Sequence, residues 1–320
     1  MKTKIVMKNI DEGDSIFRSL SICLTDKCNM SCSYCLRECD VAKRKMLPLE
    51  SIKKAIDFFV SMEPEKTKYI QLTGGEVFLY PDIYSLIEYI LAKGCICRLQ
   101  TNGLLLRHAT LTRPDLIGHP SVVIKASLDG WNERINSKYR GVGTFRPIVI
   151  GIESTLTLNK KVAIKTVIHE GNFDGLNRML DFCMRLGVAG WSYNTLMQKG
   201  RSNLATSVSQ LDVVKKLIPL FNTSRYCRML NGTDIQIMFW MFSNGISTRP
   251  KYFFINYDGG IYITDRTESS RHTGSIFNDD LKSQFVLKNI DLTVPWELLS
   301  FVGTHLNVEI EKKKVVAYEK

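Results

Sequence analysis

Cys28–Asn29–Met30–Ser31–Cys32–Ser33–Tyr34–Cys35 is the stretch on which the chain turns. Three cysteines stand in it, separated by three residues and then by two. Thiolates so spaced can wrap one soft metal centre from a single loop. Three ligands complete neither a four-iron cluster nor a tetrahedral zinc site, so one coordination position is left open. Cys39 extends the pattern to a fourth thiolate, which would instead close a cluster or a zinc site.

The flanks place this loop in a fold. Residues 18–24 alternate as a strand that leads into it. After it, Leu49, Ile52, Ala55, Ile56, Phe59 and Val60 recur at helical spacing, with Pro48 at the first turn. A strand over 69–72 ends in Thr73–Gly74–Gly75–Glu76. One over 95–99 leads to Thr101–Asn102–Gly103, and one over 122–126 ends in Ser127–Leu128–Asp129–Gly130. Two more cover 162–168, ending at His169, and 191–197. Helical stretches over 81–92, from 104 to a break near Pro114, 173–186 and 208–221 fall between or after them. Strands alternating with helices predict an α/β fold with a parallel sheet. Ligands of such sheets sit outside the carboxyl ends of the strands, and the polar, glycine-bearing motifs gather there.

Composition sets the bounds. The 320 residues are 44% hydrophobic, ordinary for a globular protein. No apolar run approaches the roughly 20 residues that span a bilayer; the longest burst, Ile237–Phe242, fits a buried strand. No signal-peptide core opens the chain, so a cytoplasmic protein without a membrane partner is expected. Nine cysteines, an odd number with three in one loop, argue against a disulfide framework. The net charge of +11 suits an anionic partner. Lys43–Arg44–Lys45 is the tightest basic run, which as a type is most often a solvated loop. The absence of an aromatic-interleaved basic stripe argues against nucleic acid.

On these residues the chain resembles the radical S-adenosylmethionine (SAM) superfamily. The cysteine loop is similar to its C-x3-C-x2-C motif, with Tyr34 as the aromatic residue before the last cysteine. Thr73–Gly74–Gly75–Glu76 resembles its Gly-Gly-Glu motif, with Val77 in place of the usual proline. Ser127–Leu128–Asp129–Gly130 with Arg140–Gly141 resembles the SPASM/twitch subgroup, which includes sulfatase maturases and peptide-modifying enzymes. The resemblance covers residues 18–200. It implies a partial (β/α)6 TIM-like barrel over 18–204, preceded by an extension over 1–17 and followed by a small α+β capping domain over 205–320. It implies two cofactors, a [4Fe–4S] cluster and SAM, and reductive cleavage of SAM to a 5′-deoxyadenosyl radical that abstracts hydrogen from a substrate carbon. Cys28, Cys32 and Cys35 would ligate iron. Gly74 and Gly75 with Thr73 would let backbone approach the methionine part of SAM, and Glu76 would accept from its ammonium. Arg140 would pair with its carboxylate, with Ser127 close by and Asn102 at the neighbouring strand end. Asp129 would contact SAM or order its loop. Tyr34 and Leu196 would lie near the adenine. A reducing partner such as flavodoxin or ferredoxin is implied.

The last third departs from the subgroup. Cys227 and the hairpin over Tyr257–Tyr262 resemble the start of a domain that holds further clusters, but Asp265 stands where the next cysteine is expected. No cysteine follows Cys227. One thiolate holds no cluster, so a single cluster is expected, and a capping domain that shapes the substrate pocket. Cys227 is either a leftover thiol or, as in radical epimerases that resemble this family, a hydrogen donor to the substrate. Cys23, Cys95, Cys97 and Cys183 read as packed small hydrophobes, and His169 as a structural histidine that ends its strand.

The leading functional reading is peptide modification. The rivals are an epimerase or dehydrogenase of a sugar or aminoglycoside-type small molecule, an RNA-modifying enzyme, and a non-catalytic iron–sulfur or zinc protein.

Overall fold

The computed structural model describes residues 3–5, 19–62, 64–65, 67–159, 161–197, 200–204, 207–221, 252–264, 271–278 and 308–310. The chain forms two compact units. One comprises residues 16–207 with 251–287, and the other comprises 1–15, 208–250 and 288–320.

In the first unit six strands run parallel and side by side. They are β1 (Ser19–Cys23), β2 (Tyr69–Thr73), β3 (Ile96–Thr101), β4 (Val122–Ser127), β5 (Val162–Ile168) and β6 (Gly190–Thr195). Side chains alternate across a strand, and here burial alternates with them. Leu20, Ile22, Ile70, Leu72, Cys97, Leu99, Val122, Ile124 and Ile164 form a fully buried face. The helices cover it. In α1 (Leu49–Ser61) the buried residues are Ile52, Ala55, Ile56 and Phe59, one stripe at 3.6-residue spacing. In α2 (Ile83–Ala92) they are Ile83, Leu86, Ile87 and Ile90. The opposite, half-buried face lines the inside of the partial barrel. Cys23, Cys95, Cys97 and Cys183 are all buried.

Local chemistry sets the helix boundaries. Pro114 ends α3 (Leu106–Thr112) and opens α4 (Pro114–Ile117). α5 (Glu133–Arg140) starts from Asn132, whose side chain accepts from the Ile135 N–H at 3.0 Å. α6 spans Phe145–Leu156. The single helix expected over 173–186 is two, α7 (Glu170–Phe173) and α8 (Leu176–Leu186). Gly175 stands between them because a Cβ there would lie 1.9 Å from the Trp131 ring.

The six strands are not the whole sheet. β7 (Tyr252–Ile255) adds parallel to the free edge of β1, and β8 (Gly260–Thr264) and β9 (Arg271–Ser275) follow antiparallel, giving the order β9-β8-β7-β1-β2-β3-β4-β5-β6. This differs from the division expected at residue 204: the hairpin belongs to the barrel's own sheet. In the second unit α9 (Gln210–Phe221) begins at Ser209, whose hydroxyl accepts from the Asp212 N–H at 3.1 Å. There Thr3–Ile5 pairs parallel with Val308–Ile310. The burst over 237–242, Cys227 and Asp265 lie outside the described residues.

Candidate active site

The strand-end motifs meet. Gly75 N–H donates to the Thr25 carbonyl at 2.8 Å, and Glu76 N–H to the Lys27 carbonyl at 2.9 Å. These bonds bind the end of β2 to the entrance of the cysteine loop. A Cβ on Gly74 would lie 2.6 Å from the Thr25 oxygen, and one on Gly75 only 2.1 Å from the Lys27 oxygen. Only glycine permits this approach of two backbones. The pair thus has a reason within the protein, the seating of the cysteine loop.

Glu76 is fully buried. One carboxylate oxygen accepts from the Thr101 hydroxyl at 2.7 Å and from the Phe78 N–H at 3.2 Å, and the other from the Asn102 N–H at 2.7 Å. Burial raises its pKa, and these donors oppose the shift. Asn102 carries the contact onward: its amide donates to Asn29 at 2.6 Å and lies 3.6 Å from the Cys28 sulfur. Thr73 accepts through its carbonyl from the Leu24 N–H at 2.8 Å.

Cys28, Met30 and Cys39 form one buried cluster, with Cys32, Cys35 and Leu104 packed against it. Burial pushes the Cys28 thiol up to about 11 and raises that of Cys32, where Arg140 opposes the shift. The Cys39 side chain and its N–H, 3.3 Å from the Cys35 sulfur, hold the Cys35 thiol below its usual range. Among the described residues no three ligating side chains converge on one ion position. A cluster does not require this, since each thiolate holds a different iron.

Beside the thiols lies a second group, in which Asp129 and Arg140 are buried and Tyr34 is half-buried. The Tyr34 hydroxyl donates to Asp129 Oδ2. Arg140 Nη1 donates to the Tyr34 oxygen at 2.9 Å and lies 3.7 Å from Asp129 Oδ2. Asp129 Oδ1 accepts from the Val167 N–H at 2.8 Å. Asp129 therefore joins the cysteine loop, α5 and β5. Among the described residues three buried side-chain atoms have no hydrogen-bond partner: Arg140 Nε, His169 Nε2 and Ser192 Oγ.

His169 caps α7. Its Nδ1 accepts from the Gly171 N–H at 3.0 Å, and its ring meets Tyr139 edge-on with centroids 4.2 Å apart. Ser127 is half-buried on the inner face, and Leu196 is buried past β6, bonded through its N–H to the Ile168 carbonyl.

Arg201 is a residue that sequence reasoning missed. It donates to the Cys32 carbonyl at 3.0 Å and the Cys39 carbonyl at 2.7 Å, and lies 3.7 Å from Asp40. Gly200 before it has φ +62°, and a Cβ there would meet the Cys35 oxygen at 2.5 Å. The segment 200–204 thus clasps the loop from outside. Nothing in its sequence signals this beyond the Gly–Arg pair.

The sequence pattern of the Radical SAM superfamily matches residues 22–183. The chain belongs to this superfamily. Its cofactors are a [4Fe–4S] cluster and SAM. The residues present fit them: soft thiols packed together, and a buried guanidinium nitrogen of Arg140 left without a partner. The chain is 27% identical over 199 residues to the AdoMet-dependent heme synthase of Oleidesulfovibrio alaskensis, covering 61% of this chain and 50% of that one. It is 28% identical over 165 residues to the mycofactocin maturase MftC of Mycobacterium tuberculosis, covering 51% and 41%. The chain thus spans half or less of the length of these relatives. The crystal structure of Streptococcus suis SuiB bound to its precursor peptide SuiA superposes with a TM-score of 0.61 at 14% identity, covering 84% of this chain and 64% of that one. That likeness shows the fold, a partial barrel.

Proposed function

We propose that this chain is a radical SAM enzyme that acts on a carbon of a peptide substrate, with one [4Fe–4S] cluster held by Cys28, Cys32 and Cys35. The observation that carries the reading is the meeting of these thiols with the Tyr34–Asp129–Arg140 group at the carboxyl end of the sheet. The likeness to a maturase supports the peptide.

When bound, the cluster supplies an electron and SAM the sulfonium group that receives it, which gives access to hydrogen abstraction from an unactivated carbon. The chain's residues position and exclude. Asn102 and Glu76 fix the Cys28 side of the loop, and Arg201 fixes Cys32 and Cys39 through their carbonyls. Arg140 is held charged by Asp129 and Tyr34, with its Nε available to a carboxylate such as that of SAM. Thr73 and Ser127 place polar atoms at the ends of β2 and β4, on either side of β3, and Leu196 an apolar wall. Cys227 is proposed as a hydrogen donor or a spectator thiol.

The test is anaerobic reconstitution followed by reduction with SAM and candidate peptides encoded beside the gene. The expected results are iron near four atoms per chain, as one [4Fe–4S] cluster requires, and 5′-deoxyadenosine formation. Both are lost in Cys28→Ala, Cys32→Ala and Cys35→Ala and kept in Cys39→Ala. Loss of the cluster in Cys39→Ala with retention in Cys28→Ala would refute the assignment.

A further inference from the structure

Asn102 follows β3 directly and lies 74 residues from Cys28 in sequence, yet its side chain reaches that thiol. Its Nδ2 donates to the Cys28 sulfur at 3.6 Å and to Asn29 Oδ1 at 2.6 Å. Its Oδ1 accepts from the Leu104 N–H at 2.9 Å. That last bond decides which end of the amide faces the sulfur, because only the oxygen can accept from a backbone N–H. The main chain is pinned as well. The Asn102 N–H donates to Glu76 Oε2 at 2.7 Å, and the Thr101 hydroxyl to Glu76 Oε1 at 2.7 Å. Asn102 is buried, so the amide has little room to turn away and little water to compete with it.

The other thiols are served differently. The donor to the Cys35 sulfur at 3.3 Å is the Cys39 N–H, a backbone group of the loop itself. Among the described residues, no amide side chain other than that of Asn102 donates to Cys28, Cys32 or Cys35. Hydrogen bonds to the ligand sulfurs are among the determinants of a cluster's reduction potential. A reduced cluster carries one more electron than an oxidised one. An N–H aimed at a ligand sulfur stabilises that added negative charge, and does so more strongly in a buried site than in water.

We infer that Asn102 tunes the reduction potential of the cluster, raising it through its N–H···S bond to Cys28. It is a positioning residue that acts through the thiolate: one electron enters the cluster, and the amide keeps both of its protons. The effect is a cluster that is easier to reduce than its three thiolates alone would make it. This rests on the assignment of Cys28 as an iron ligand.

The test is a redox titration of the reconstituted protein without SAM, followed by electron paramagnetic resonance, on the native chain, Asn102→Ser and Asn102→Asp. Serine can still accept from the Leu104 N–H but ends one atom short of the sulfur. Aspartate keeps the shape and that acceptor, and replaces the donor with a negative charge. Both variants should hold their iron and move the midpoint downward, serine less than aspartate. For Asn102→Asp the ratio of reduced to oxidised cluster at a fixed potential should fall by about tenfold or more, which is about 59 mV for a one-electron couple. In the native chain carrying the heavy nitrogen isotope in its asparagine side chains, the reduced cluster should show a nitrogen coupling by pulsed resonance that Asn102→Ser lacks. Unmoved midpoints in both variants, an upward shift in Asn102→Asp, or no such coupling in the native chain would overturn the inference. Failure of the parent assignment looks different: Cys28→Ala would then keep its iron, whereas failure of the inference alone leaves Cys28→Ala without a cluster and the midpoints unmoved.

Discussion

Gly75→Ala isolates the contact on which the cysteine loop is seated. The added Cβ would stand 2.1 Å from the Lys27 oxygen and 2.6 Å from its carbon. Ordinary contact begins about 1 Å farther out, and the obstacle is backbone, which no rotamer change can move. The loop must retreat by about that much. Both bonds between β2 and the loop, Gly75 N–H to Thr25 at 2.8 Å and Glu76 N–H to Lys27 at 2.9 Å, then stretch beyond hydrogen-bond range. Two backbone bonds at about 1 kcal/mol each, with about 1–3 kcal/mol of overpacking, give a loss of about 3–5 kcal/mol. That is a large part of a domain's usual stability of about 5–15 kcal/mol. Chemical denaturation of the reconstituted protein measures it, with iron content and visible absorbance as a second readout. The expected outcome is a lower midpoint and poor iron retention. Gly94→Ala is the control: its φ is +70° but no atom lies within 4 Å, so only the backbone cost of about 1 kcal/mol applies. If Gly75→Ala unfolds at the same midpoint as Gly94→Ala and keeps its iron, the seating argument is wrong.

Asp129→Asn removes the counter-charge of buried Arg140 while keeping the shape, and a loss of about 3–5 kcal/mol is expected, read by denaturant midpoint; a change under 1 kcal/mol would show that Tyr34 alone suffices. Burial lowers the His169 pKa from 6.5 to about 4, with Asp129, Lys138 and Glu170 as its charged neighbours. Between those values the unfolded chain takes up a proton that the native one does not, so His169 makes stability fall as pH drops from 6.5 and level off below about 4. The total is on the order of 3 kcal/mol, and His169→Asn, which can still cap α7, should flatten that part of the pH–stability curve. Arg201→Met should lower cluster retention without moving the Gly75 contact, measured as iron loss to a chelator over time; equal loss rates would remove Arg201 from the account.

Much of the barrel was legible because its signals repeat. Five of the strands end in motifs or turns whose polarity contrasts with the alternating segment before them, and the helices between carry clear 3.6-residue stripes. The boundary at Gly175 escaped because the reason for it, the Trp131 ring, arrives from 44 residues away in sequence. The placement of β7 beside β1 escaped for a similar reason, since periodicity identifies a strand but not its neighbour. Cys28, Cys32 and Cys35 stand out in the sequence by their spacing. The clasp on their loop does not: Arg201 donates to the carbonyls of Cys32 and Cys39, and a carbonyl has no letter in the sequence. Glu76 and Asp129 were visible as motif residues, but their partners within the protein emerge only when five strand ends are assembled.

The pairing of β7 with β1 also bears on how the protein is made. β1 is the first strand of its sheet to leave the ribosome, and its partner β2 follows within about 50 residues. Its other edge waits for Tyr252–Ile255. At typical elongation rates this interval lasts roughly 10–50 s. Throughout it the first strand, and the thiol loop it leads into, would stand at an open sheet edge, where strands recruit foreign partners. Iron loading in the cell is then better timed after synthesis is complete than during it, and a chain that stalls before residue 252 would be a substrate for chaperones rather than for cluster assembly.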